Sequence, residues 1–297
     1  MRRFVIGFFG DGPWAHHALR QFLSDSTLKV AFVCSRFHAP DPVLERLAHQ
    51  HDVMHLVHPD VNSETFRKMI PSNEYDLFVS MSFDQIFSPS LIEVPRLQTI
   101  NCHAGKLPFY RGRSVLNWVL INDEREFGVT VHQMDEGIDT GDILAQRVFS
   151  VSDADDYATL LSRARKACPA LLVETVEALR RGTVTPLKQS DIDPTGSYFS
   201  RRGVGDERLD WDRTAREIFN LVRAVCPPGP AARTRLGDVE LCVHRVVEVS
   251  RSDDPESRPG TVISVDASGF VVATADSMVR VVDWSGLDDI QPGDRFT

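Results

Sequence analysis

Six short apolar runs punctuate the first 135 residues, and the stretches between them carry helical rather than strand periodicity. The runs cover residues 2–10 (RRFVIGFFG), 28–35 (LKVAFVCS), 53–57 (VMHLV), 75–83 (YDLFVSMSF), 97–105 (LQTINCHAG) and 128–135 (GVTVHQMD). Between them, GDGPWAHHALRQFL and PVLERLAHQH read as amphipathic helices, and residues 62–69 as a shorter one. That short helix is capped by Asn62 or Ser63, with Glu64 in its first turn. Apolar strands alternating with helices predict a doubly wound, Rossmann-like α/β sheet, in which functional groups gather where strands end and loops begin.

The pattern then changes. A helix is expected from about residue 154 to 181, with Tyr157, Leu160, Leu161, Ala164, Leu171, Leu172 and Val176 forming one stripe. Residues 182–202 carry Pro186, Pro194 and Gly196 among polar residues and read as a linker. One more amphipathic helix follows over 210–225, stopped by Cys-Pro-Pro-Gly-Pro at 226–230. Valine-rich strands with Gly or Asp turns (239–250, 260–276, 278–284) then fit a small barrel or sandwich, of which an OB-like β-barrel is the expected form. The expected domains are therefore 1–181, a linker over 182–202, and a helix plus β-rich domain over 203–297.

Charge and cysteine usage narrow the function classes. The chain has 33 Lys and Arg against 42 Asp and Glu, a net charge of -9, so a polyanionic partner such as nucleic acid is disfavoured. The N-terminus lacks a signal-peptide apolar core, and no stretch approaches the roughly 20 apolar residues of a membrane span. Cysteines 34, 102, 168, 226 and 242 are scattered without a CxxC, which suits a reducing cytoplasm and points to neither zinc nor disulfides. The histidines at 16, 17, 49, 51, 55 and 58 match no metal-ligand spacing and read as surface or packing residues.

Four motifs bear on chemistry. Gly7, Gly10 and Gly12 close the first strand, but Pro13 and Trp14 follow where a dinucleotide motif needs a close-packed helix start. Backbone amides there suit a substrate phosphate better. Asn101 and His103 alternate along one strand, so their side chains share a face and Cys102 points away. On those residues alone, turn hydrogen bonding is the stronger reading. Lys106, Arg111 and Arg113 lie in a loop with Pro108 and Gly112, equally suited to binding an anion or to simple solvation. Asp139 lies between Gly137 and Gly141, where it can orient an imidazole or merely make a turn.

Taken together, these stretches resemble the N10-formyltetrahydrofolate-dependent formyltransferase family. The family's Asn-x-His motif matches Asn101-Cys102-His103, and its Leu-Pro-x-x-Arg-Gly loop matches residues 107–112. Its aspartate loop matches residues 137–142. The likeness covers residues 1–180, and more loosely the remainder. It implies that an amine attacks the formyl carbon of N10-formyltetrahydrofolate, with no metal and no covalent enzyme intermediate. Asn101, His103 and Asp139 would be catalytic. The resemblance places the donor against Met81, Ser82, Phe83, Gln85, Ile86, Leu107, Asp135 and Gly137. Gly10, Asp11, Gly12, Trp14, Lys106, Arg111, Arg113 and Asn117 are expected on the acceptor side.

Within the family, Asn117-Trp118 and the acidic balance point to the sugar-nucleotide branch. There the acceptor is a 3- or 4-amino-dideoxyhexose on dTDP, UDP or GDP, and homodimers are common. Methionyl-tRNA and ornithine formyltransferases are the alternatives within the same chemistry. A binding module that has lost catalysis is argued against by the intact Asn101, His103 and Asp139.

Overall fold

The computed structural model describes residues 2–72, 74–249 and 257–297. The chain divides into two compact units. The first comprises Met1–Gly112, Gly128–Phe149 and Arg163–Tyr198, and the second comprises Arg113–Phe127, Ser150–Ser162 and Phe199–Thr297.

The first unit begins with β1 (Phe4–Gly10), α1 (Gly12–Ser24), β2 (Leu28–Ser35), α2 (Pro42–Gln50) and β3 (Met54–Val57). It continues with α3 (Glu64–Met69), β4 (Leu77–Met81), α4 (Pro89–Ile92), β5 (Thr99–His103) and β6 (Arg111–Gly112). Starts are set locally. Asp41 accepts from Val43 and Leu44 N–H at the head of α2, and Ser63 accepts from Phe66 N–H at the head of α3. The seven-stranded sheet is ordered β3-β2-β1-β4-β5-β7-β8, where β7 is Glu126–Gln133 and β8 is Ile143–Ser150. From β3 to β5 all pairings are parallel, whereas β7 runs antiparallel to β5. Sequence order reverses direction between β1 and β4, which makes their carboxyl ends the expected place for a ligand.

Every residue of β1 is buried, as a strand covered on both faces requires. Its Phe9 ring meets those of Phe32, Phe78, Phe83 and Phe87 at centroid distances of 5.3, 5.6, 5.5 and 4.7 Å. Gly7 makes this aromatic packing possible, because a Cβ there would overlap the rings of Phe32 and Phe78.

The second unit holds α5 (Val115–Ile121) and, after α6 (Tyr157–Arg181), α7 (Gln189–Ile192) and β9 (Tyr198–Phe199) of the chain, α8 (Ala215–Val225). α5 packs on α8, whose start carries a reciprocal capping box between Thr214 and Glu217. Its antiparallel sheet is ordered β10-β11-β14-β13-β12, from Ala232–Leu236, Val239–Val249, Met278–Ser285, Gly269–Ala273 and Val262–Asp266. Ser250, the last residue of one predicted strand, lies outside the described residues. Arg216 ties this unit together, reaching Asp123 at 2.5 Å, Asp153 at 2.6 Å and Glu248 at 2.9 Å.

Candidate active site

Strand register aligns the candidate residues in rows across the first unit. Phe9, Ser80, Asn101 and His132 are successive partners on β1, β4, β5 and β7. Two residues further on, Asp11 and Ser82 just beyond the ends of β1 and β4 and the paired His103 and Thr130 of β5 and β7 continue the same parity. Asn101 and His103 therefore face one side. The thiol of Cys102 turns the other way, 3.5 Å from the Cys168 carbonyl.

His103 is buried, and both its ring nitrogens face oxygens. Nε2 lies 2.7 Å from the Tyr110 carbonyl, and Nδ1 lies 3.6 Å from Asp139 Oδ2. Gly105 permits the first contact, since a Cβ there would overlap both His103 Nε2 and Tyr110 O. Asp139 sits in the left-handed region at φ 55°, a conformation that the short Asp side chain tolerates better than most. Its Oδ2 accepts from Gly112 N–H at 2.9 Å. The Gln189 amide donates to the carbonyls of Asp139 at 2.8 Å and Gly141 at 2.7 Å, and so pins the loop from below. Arg111 completes this brace, donating twice to Gln189 Oε1 and once to Thr195 O.

His132 was not singled out by its sequence context, yet it stands at the centre of the site. It is 2% exposed. Its Nδ1 is 2.7 Å from Gln133 O, and its Nε2 is 3.3 Å from Asn101 Nδ2 and 3.4 Å from Asp139 Oδ1. Since a carbonyl only accepts, Nδ1 carries a proton, and Nε2 is left to mediate between the amide and the carboxylate. The one available signal was a histidine within an otherwise apolar strand. Burial by itself would raise the Asp139 carboxyl. The charges of His103 and His132 and the hydrogen bond from Gly112 N–H outweigh it and hold Asp139 well below the usual carboxylate range. The site thus combines an amide donor, a proton carrier and a permanent negative charge.

The other predicted residues are placed as follows. Gly10 is buried at the end of β1 and Asp11 is half-buried beyond it, followed by Gly12 and the half-buried Trp14 in α1. Met81 is 1% exposed, Phe83 packs into the aromatic core, and Ile86 is 64% exposed. The Gln85 amide is used locally, accepting from Val61 N–H and donating to His58 O. Leu107 is buried, with its carbonyl held by Gln146 at 2.8 Å. Asp135 turns its carboxylate inward onto Gly137 N–H and the Thr140 hydroxyl, while half-buried Lys106 lies between Gly105 and Leu107. Arg113 and Asn117 belong to the second unit. There Arg113 is exposed, and buried Asn117 donates to Ala224 O at 2.6 Å.

Among the described residues, no group of three or more His, Cys, Asp or Glu is placed to hold a metal ion, and no helix is long and apolar enough to cross a membrane.

Comparison with known proteins identifies the family. Residues 2–176 match the family model described as formyl transferase, and residues 204–286 match that of the formyl transferase C-terminal domain. The methionyl-tRNA formyltransferase of Citrifermentans bemidjiense is 34% identical over 302 residues, covering 97% of this chain and 92% of its own. That of Geobacter metallireducens is 33% identical over 240 residues, covering 81% and 75%. Among solved structures, the N-formyltransferase from Helicobacter canadensis, in complex with folinic acid and dTDP-3-aminofucose, shares the fold with a TM-score of 0.70. It is 20% identical, with 95% of this chain and 100% of that one covered. The sequence matches span both parts of the molecule and the motifs that build the site, so the chain belongs to the formyl transferase family and is a formyl-transferring enzyme.

Proposed function

We propose that the protein transfers a formyl group from N10-formyltetrahydrofolate to the primary amine of a nucleotide-linked amino-dideoxy sugar. The observation that carries the acceptor reading is charge. Residues 203–297 contain 11 arginines and no lysine against 17 acidic residues, a balance of -6, within a chain of net charge -9. An enzyme that must hold tRNA gains its affinity from cations set against phosphates, and this composition opposes that. A small diphosphate-linked acceptor needs only a few local contacts. The complex of the Helicobacter canadensis protein with an amino sugar nucleotide supports the same reading.

The chemistry follows from the residues at the site. The neutral amine attacks the formyl carbon, and the carbonyl oxygen becomes an oxyanion that the Asn101 amide and the protonated His103 stabilise. The attacking amine's proton passes to a water held by Asp139 and from it to N10, the oxyanion's electron pair re-forms the carbonyl as the bond from carbon to N10 breaks, and tetrahydrofolate leaves. Asp139 stays ionised throughout and balances the imidazolium. In this reading residues 1–181 form the catalytic segment, 182–202 the linker and 203–297 the C-terminal domain, and two copies associate as a homodimer.

A second reading, formyl transfer to methionyl-tRNA, is favoured by the identity to the two relatives above. The test is a competition assay. Purified protein and formyl donor are incubated with dTDP-, UDP- and GDP-linked 3- and 4-amino sugars, with ornithine and with charged initiator tRNA. Mass spectrometry then follows which acceptor gains a formyl group. Formylation of the tRNA with no amino sugar modified would overturn the proposal.

A further inference from the structure

One strained residue lies in the row that contains His103. Ser82, directly after β4, has φ 58°, in the left-handed region that costs a residue with a Cβ about 1 kcal/mol or more. Arg36, directly after β2, reaches across the end of β1 to hold it. Its Nη2 donates to the Ser82 carbonyl, and its Nη1 lies 3.2 Å from Asp11 Oδ2. Asp11 N–H in turn donates to Met81 O at 3.2 Å, so the contacts close a ring over the carboxyl ends of three neighbouring strands. Burial pushes the Asp11 carboxyl up, and the adjacent Arg36 charge only partly opposes this. The pair is thus held at a site where neither charge is fully solvated.

The remainder of the loop is fixed from its other side. Gln85 bonds to the backbone of His58 and Val61, and Asn62 donates to Ile86 O at 2.9 Å and accepts from Ser88 N–H at 2.7 Å. Phe83 is anchored in the aromatic core. Removing Arg36 would therefore release the Ser82 end and leave the remaining anchors in place.

We propose that Arg36 is a positioning residue for the formyl donor, because it locks Ser82 in the left-handed turn that presents the backbone of residues 81–86. The proposal rests on the reading that this loop receives the folate. A planar guanidinium makes both contacts at once, which a lysine ammonium on a flexible stem does not reproduce.

The test combines kinetics with rescue. Arg36→Met should raise the donor KM, and the Kd for 5-formyltetrahydrofolate used as a probe, by about tenfold, the ratio that the left-handed penalty sets. At saturating donor, kcat should be nearly unchanged, and Arg36→Lys should resemble Arg36→Met. Adding Ser82→Gly to Arg36→Met should restore donor affinity, because glycine adopts that conformation without the clamp. Arg36→Gln serves as a second variant if Arg36→Met does not fold. An unchanged donor KM in a folded Arg36 variant, or failure of Ser82→Gly to rescue, overturns the clamp while leaving the folate reading intact. A wild-type protein that shows no saturable folate binding overturns that reading, and the clamp with it.

Discussion

Replacing Asp139 with asparagine removes a charge at nearly constant shape. Asparagine Oδ1 can still accept from Gly112 N–H, now at 2.9 Å, so the loss falls mainly on the facing histidines at 3.4 and 3.6 Å. Those distances exceed a hydrogen bond and are Coulombic contacts. Two full charges 3.6 Å apart attract by about 4–5 kcal/mol at an effective dielectric of about 20. Desolvation of the buried carboxylate opposes this, leaving about 1–3 kcal/mol net. Asp139→Asn should thus lower the thermal midpoint by a few degrees and, with the imidazolium no longer balanced, cut kcat by ~10²–10⁴-fold.

The pH dependence provides the stricter check. The folded-state pKa of Asp139 is depressed, so its contribution is fully present above the unfolded value of about 3.9 and is lost as pH falls through the lower folded value. In urea titrations, the stability gap between wild type and Asp139→Asn should be full at about pH 6 and should narrow progressively below about pH 4. Turnover of Asp139→Asn within about twofold of wild type, or a gap that stays constant across that window, would refute the assigned role.

Three further outcomes are expected. His132→Phe leaves the Asn101 amide and Asp139 Oδ1 without a buried partner, and should cost ~1–3 kcal/mol of stability and about tenfold in kcat, read by denaturation and steady-state kinetics. Gly105→Ala drives a methyl into His103 Nε2 and Tyr110 O, and should abolish most turnover while donor binding, measured by calorimetry, persists. The Cys34 thiol is pushed up to about 12 by burial and the nearby Asp84 charge, so a thiol reagent at mildly alkaline pH should label half-buried Cys242 well before Cys34, as peptide mapping will show.

Much of the architecture was legible in the chain because it depends on local periodicity. The alternation of apolar strands and amphipathic helices anticipated β1 to β5 with α1, α2 and α3 but not the short α4, and of the two caps it offered for α3, Asn62 or Ser63, the serine is the one used. The two-residue strand repeat places Asn101 and His103 on one face with Cys102 on the other, as the register and the Cys102 contact bear out. Composition read the segment from 182 to 202 as a linker from its prolines and glycine. Gln189 within it is only 3% exposed and holds the Asp139 loop, because Pro and Gly mark turns and say nothing of what a polar residue between them will meet.

The sequence by itself determined which residue types were present, which shared a strand face, and that their motifs belong to formyl transfer. Only the tertiary structure decided which of them meet. Strand direction and register are long-range properties, so the antiparallel β7 that sets His132 opposite Asn101 could not be read from its own eight residues. For the same reason, the side chains of Gln85 and Asn117 could not be known in advance to be engaged by distant backbone. Nor could Arg36 be seen to reach Ser82, 46 residues away, since local pattern encodes an element and its faces, whereas partners are chosen by packing.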